Sequence, residues 1–148
     1  MSNANCVAND YPDSFGNYKI AVAVAIPVTA TGNAIVALPV LSGGTGGSYI
    51  LRKITVSNPS NIAGGTVPNC AACNVSITTS NDGNTSNAVA AAQTIANVTG
   101  QYKYQDLTLA SSTLTTAQTA NTLFLNIGAG AVANGSVTVS IFGDVVQF

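Results

Sequence analysis

Cys70-Ala-Ala-Cys73 is the one spacing in this 148-residue chain that matches a known chemical device. Two thiols three positions apart can exchange a disulfide or supply two corners of a zinc site. A zinc site wants four ligands, and the chain has no histidine and no second CxxC. The residues that follow, Asn74-Val-Ser-Ile-Thr-Thr79, read as a strand, whereas a thioredoxin-type thiol is activated at the start of a helix. Three readings stay open for Cys6, Cys70 and Cys73. They are small buried or loop thiols, a bridge from Cys6 to one of the pair, or a metal site completed by Asp or a neighbouring copy.

Other chemistry is thinly supplied. Histidine, tryptophan and glutamate are absent, so a base beside a nucleophile would have to be Lys or Asp, and no Ser-x-x-Lys occurs. Asp82, Asp106 and Asp144 are far apart in sequence and lie in no recognisable acid-base motif. Asp82 and Asn84 share a spacing with calcium loops, but the remaining ligands are missing and a plain turn is expected. The tract Ser42-Gly-Gly-Thr-Gly-Gly-Ser48 lacks the Lys-Ser/Thr and the helix of a phosphate cradle, and reads as a loop. Asn-x-Ser/Thr sequons at Asn74, Asn84, Asn97 and Asn134 are what a chain rich in these residues produces by chance. The expectation is a protein that is not an enzyme and needs no cofactor or metal.

Composition narrows the partners. Only 6% of residues are charged, against roughly 25% in ordinary soluble domains, and the net charge is −1. Nucleic acid is not an expected partner, because only Arg52-Lys53 stand together and alternation would send them to opposite strand faces. The longest apolar run, Ile20 to Val28, is broken by Pro27 and falls well short of the ~20 residues of a spanning helix, so no membrane is expected. The first residues have no basic or long apolar stretch of the secretory kind, which leads one to expect synthesis in the cytoplasm. With 47% hydrophobic residues and so little charge, much of the surface is expected to meet neighbouring subunits.

The elements read as strands. Residues 1–17 form a polar arm whose only large anchors are Tyr11-Pro12 and Phe15, expected to lie on a partner. From residue 18 to 148 the pattern is one domain. Ile20, Val22, Val24, Ile26 and Val28 alternate with Ala21, Ala23 and Ala25, which predicts a β-branched core face and an alanine face open to another subunit. Residues 34–41, 49–57 and 73–79 continue the extended pattern. Residues 87–96 are ambiguous, with a helical turn or loop expected before a strand through Thr94–Thr99. Residues 102–109 and 123–127 follow as strands, Ser111 to Thr122 as loop, and Asn134-Gly135 as the best hairpin signal. Beyond it, the adjacent Val145 and Val146 imply a bulge at Gly143. About eight strands with no long helix predict an all-β, antiparallel β-sandwich.

The segments Gln105-Asp-Leu-Thr-Leu109, Asn121-Thr-Leu-Phe-Leu-Asn-Ile-Gly128 and Ser136-Val-Thr-Val-Ser-Ile-Phe-Gly-Asp-Val-Val146 resemble the small Ala/Thr/Asn-rich sandwich proteins that decorate tailed-phage heads. The resemblance covers about a third of the chain and leaves out the CxxC and the Gly-rich tract. It implies a jelly-roll-like homotrimer on the outer capsid surface of the virion, cementing the major capsid protein, with no catalytic or cofactor residues. Two other readings follow from the residues. A pilin-like or surface-layer subunit shares the low charge, but is expected to carry a secretory signal. A carbohydrate-binding sandwich at a fibre tip would use Tyr102 and Tyr104 as its platform.

Overall fold

The computed structural model describes residues 19–30, 34–40 and 48–147. The arm with Cys6, Tyr11, Pro12 and Phe15, the glycines of the 42–48 tract, and Phe148 lie outside the described residues. Eight strands follow in order: β1 (Lys19–Pro27), β2 (Ala34–Pro39), β3 (Ser48–Asn61), β4 (Asn74–Thr78), β5 (Ala88–Thr94), β6 (Tyr104–Asp106), β7 (Thr122–Ala129) and β8 (Gly135–Gln147).

They form two four-stranded sheets, ordered β1-β8-β3-β6 and β2-β7-β4-β5, with every pairing antiparallel. Each strand of the first half pairs with its mirror partner in the second half: β1 with β8, β2 with β7, β3 with β6, β4 with β5. This is a long hairpin folded over on itself, the jelly-roll arrangement of a β-sandwich. The apolar alternation explains which faces meet. Leu123, Leu125 and Ile127 on β7 and Val137, Val139 and Ile141 on β8 point inward at 0–1% exposure, packed with Leu51, Ile54, Val56, Val75 and Ile77. Tyr49 is also buried, its hydroxyl donating to the Ala120 carbonyl at 2.7 Å, which removes the cost of an unpaired phenol.

Several expectations need correction. Asn134-Gly135 does not make a hairpin, because β7 and β8 belong to different sheets. It turns a corner between them, with Asn134 at φ 58° and the Gly135 N–H bonded to the Val132 carbonyl at 2.9 Å. The alanine run is strand β5, while Ile95 to Gly100 is loop. Pairing with β4 overrides the helical preference of alanine, and the apolar Ile95 and Val98 anchor the loop to the core. Strand β3 runs past the expected end at Ser57, continuing through Asn58-Pro59 to Asn61 by placing Asn58 at φ 48° within a register shift.

A second shift on β3 puts Arg52 and Lys53 on the same outer face instead of opposite ones. Inward positions run Tyr49, Leu51, then Ile54, Val56, so the phase slips between them. Gly143 faces this slip. A Cβ there would stand 2.2 Å from the Ile50 carbonyl oxygen, so the close approach of β8 to β3 requires glycine.

Gly130, between β7 and β8, is more constrained still. It has φ 68°, and a Cβ would stand 1.9 Å from the Ala72 carbonyl oxygen. Gly64 has φ 82° but open space around it. Gly130→Ala is expected to cost about 2–4 kcal/mol, combining backbone strain with overpacking, and Gly64→Ala about 1–2 kcal/mol from strain alone. Urea midpoints at equal m-value measure the difference, and equal losses would show that Gly130 is not closely packed.

Candidate functional site

The residues singled out for chemistry are spread over the molecule. Asp82 lies in the β4–β5 turn, accepting from the Ser80 hydroxyl and from the Asn84 N–H at 2.9 Å. Those bonds, Ser80 first, hold its carboxyl below the usual range. Asp106, on β6, accepts from the Thr55 hydroxyl of β3. Asp144, on β8, accepts from Arg52 Nε at 2.6 Å, while Arg52 Nη1 donates to the Leu114 carbonyl at 3.0 Å. Opposite β3, Asp106 faces Thr55 and Asp144 faces Ile50. Five residues of strand separate those rows, about 17 Å at ~3.3 Å per residue, too far for two carboxylates to share one bond. No group of three or more His, Cys, Asp or Glu that could hold a metal occurs among the described residues.

Cys70 and Cys73 are free thiols, both at 0% exposure. The turn between them is closed by the Cys73 N–H bonding to the Cys70 carbonyl at 3.0 Å. The Cys70 N–H reaches the Val98 carbonyl, and the Cys73 carbonyl accepts from Ile95 N–H, each at 3.0 Å. Gly130 closes on the same turn at Ala72. The CxxC therefore ties three loops at one end of the sandwich. Burial raises the Cys70 thiol, and burial followed by the neighbouring Cys70 pushes Cys73 up to about 11, the opposite of an activated nucleophile.

The expected subunit face on β1 is reversed. Ala21 and Ala23 are half-buried against the core, while Val22 and Val24 are 52% and 72% exposed. A register shift between Ala23 and Ile26, with Ala25 exposed at φ 55°, then swings Ile26 and Val28 inward. The bulge changes the phase mid-strand, so a single alternation could not describe both halves. Ala21 and Ala23 thus turn toward the core, whereas Val22, Val24 and Ala25 are exposed.

Across this outer face, Lys19, Phe142 and Lys53 form one row, with the two ammonium groups 5.6 Å and 4.7 Å from the Phe142 ring centroid. Such contacts are worth about 0.5–1 kcal/mol each when exposed. The next rows carry Val22, Ser140, Thr55 and Asp106, then Thr138, Ser57 and Tyr104. Tyr104 and Tyr102 are 62% and 81% exposed. They are not a strand pair, because Tyr102 lies in the turn before β6 with φ 63°. No family model, curated protein or solved structure matches the chain.

The surface thus offers apolar and hydroxyl groups, with Lys19, Lys53 and Arg52 gathered on the outer face of β1-β8-β3, two on Phe142 and one on Asp144. The valine strip was missed because the bulge has no local signature except Pro27 two residues later.

Burial of the thiols and of Tyr49 has a consequence at high pH. Between pH 9.0 and about 11 the unfolded chain has lost the Cys73 proton while the folded chain keeps it. That contribution is complete below 9.0 and is lost as pH rises through about 11. Tyr49 acts likewise between 10.0 and about 12. The urea midpoint is expected to fall from about pH 9, and in Cys70→Ser/Cys73→Ser to start falling only near pH 10. An onset unmoved by the double substitution would exclude the thiols as its cause.

Proposed function

We propose that this protein is a structural virion subunit, not an enzyme, that decorates and cements the outer surface of a tailed-phage capsid as a homotrimer bound to the major capsid protein. It is made in the host cytoplasm and acts at the capsid surface. The observation that carries the reading is the strand order β1-β8-β3-β6 over β2-β7-β4-β5, an architecture used by capsid and lectin domains. Sparse charge and the sequence resemblance support the capsid side of that choice. A cement protein touches protein rather than genome and needs no net positive charge, and the net charge here is −1, with Lys19 and Lys53 on the Phe142 ring and Arg52 bonded to Asp144. No helix among the described residues is long and apolar enough to cross a membrane.

Attachment is assigned to residues 1–17 through Tyr11, Pro12 and Phe15, together with the Val22–Val24 strip on the strand into which that arm leads. Burying two such aromatics contributes on the order of 2–3 kcal/mol each at ~25 cal/mol per Å². A lectin-like reading has one observation in its favour, the exposure of Tyr102 and Tyr104.

Co-sedimentation with undecorated capsids tests both. Deleting residues 1–17 is expected to leave the far-UV spectrum unchanged and to weaken particle binding tenfold or more, each ~1.4 kcal/mol being a factor of ten. Tyr102→Ala/Tyr104→Ala is expected to bind particles normally. Full decoration by the truncated chain would remove the arm from the mechanism. Failure of the intact chain to bind any capsid, with retention on a glycan array lost in the tyrosine variant, would favour the lectin-like reading.

A further inference from the structure

Met1, Cys6, Cys70 and Cys73 are the only sulfur-bearing residues of the chain, and folding sets the last two together. Cys70 ends the long loop after β3 and Cys73 stands directly before β4, so the pair sits where that loop enters an inner strand of the β2-β7-β4-β5 sheet. Both side chains lie in the same apolar core at 0% exposure, beneath the exposed Asn69 and Ala72. No third metal-ligating side chain joins them among the described residues.

The backbone that carries the two thiols is fixed without any bond between the sulfurs. Residues 70–73 form a β-turn closed by the 3.0 Å bond from the Cys73 N–H to the Cys70 carbonyl. The Asn69 side chain accepts from the Ala71 N–H at 2.9 Å, while the Val98 carbonyl and the Ile95 N–H hold the two ends of the turn. Gly130 backs it at Ala72. A closed β-turn keeps its outer Cα atoms less than ~7 Å apart, and a disulfide spans about 4.4–6.8 Å between Cα atoms. The thiols also sense each other, Cys70 adding to the rise that burial imposes on Cys73. The turn thus presents both thiols to one another at a separation a disulfide can bridge, with no backbone movement required.

We infer that Cys70 and Cys73 are a redox-closed pair, which a small-molecule disulfide converts to an intramolecular disulfide that staples this end of the sandwich. One cysteine thiolate attacks the small disulfide, forming a mixed disulfide and expelling one small thiol. The second cysteine thiolate then attacks the sulfur of the first, forming the Cys70–Cys73 bond and expelling the other small thiol. Two electrons pass from the protein to the small disulfide, and the two cysteine protons end on the two small thiols. Burial requires the turn to open before the first attack, so the pair closes slowly in the folded chain. Once closed, the bond is sheltered from reductants by the same burial. The inference stands on the turn alone and needs no capsid.

The test uses the full chain as Cys6→Ser, held in a glutathione buffer of one fixed ratio, with equilibrium approached from the reduced and from the oxidised protein. Folding and the bond are linked, so a turn that favours the disulfide raises its proportion in the native chain by the factor by which the bond stabilises the fold. The ratio of disulfide to dithiol is expected to be roughly tenfold or more higher in the native chain than in urea. The tryptic peptide of residues 54–103, which holds both cysteines, is expected to lose two hydrogens and take up no iodoacetamide. The oxidised chain has no thiol of this pair left to ionise, so its urea midpoint is expected to hold until about pH 10, where Tyr49 begins to ionise in the unfolded state. Equal ratios in the two states would reduce the pair to core packing and overturn the inference. A persistent mixed disulfide with glutathione, or disulfide-linked dimers, would overturn it too. So would peptide mapping of the native wild type that finds a bridge from Cys6 to either cysteine.

Discussion

Everything in this sandwich depends on strands made late in the chain entering the middle of sheets begun early. Strand β8 lies between β1 and β3, and β7 lies between β2 and β4. Neither sheet can close until residues 122–147 are in place. Of the in-sheet pairings, only β4 with β5 joins neighbours in sequence, so most of the hydrogen bonding closes long loops before it is rewarded. Such topologies fold slowly, and their low-charge strands must stay unpaired meanwhile.

The irregularities are adaptations to that topology. Long strands that run the length of both sheets accumulate twist, and each register shift lets one strand change phase without leaving its partner. The shift at Arg52–Lys53 keeps two cations outside, where one meets Asp144 and the other covers Phe142. The shift after Ala23 turns Ile26 and Val28 into the core at the cost of leaving Val22 and Val24 in water. A partly exposed ion pair such as Arg52–Asp144 contributes at most about 1 kcal/mol, so these bulges are held by the buried rows beneath them and not by the charges above.

Where a strand keeps one phase from end to end, its sequence is transparent. Leu123, Leu125 and Ile127, and likewise Val137, Val139 and Ile141, could be assigned to the core directly, and from them the all-β class followed. The slip in β3 was not legible, because Ile50 is as apolar as the inward Tyr49 and Leu51, and strict alternation parted Arg52 from Lys53. Strand β1 misled because its alanines and valines alternate perfectly through a bulge, and hydrophobicity alone does not say which small residue faces in. Asn134-Gly135 carries the backbone preference of a tight turn, but that preference is met equally by a corner between sheets. The candidate surfaces were the least legible, since no local motif marks an outward row; Lys19, Phe142 and Lys53 come together only through the strand order β1-β8-β3.

The pairing of Lys19 with Phe142 sets the first described residue of β1 beside β8, five residues before that strand's end. At the opposite turn of the folded-over hairpin, Ser80, Asp82, Asn84 and Asn87 bond among themselves in an exposed loop. The chain is thus nearly a closed circuit with a self-contained bend halfway round. A circular permutant joined by a short linker across the first circuit end and opened at Asp82-Gly83 would preserve every strand pair except the β4–β5 connection. It would also carry fused cargo at the same end of the sandwich as residue 19, because β4 ends where β1 begins.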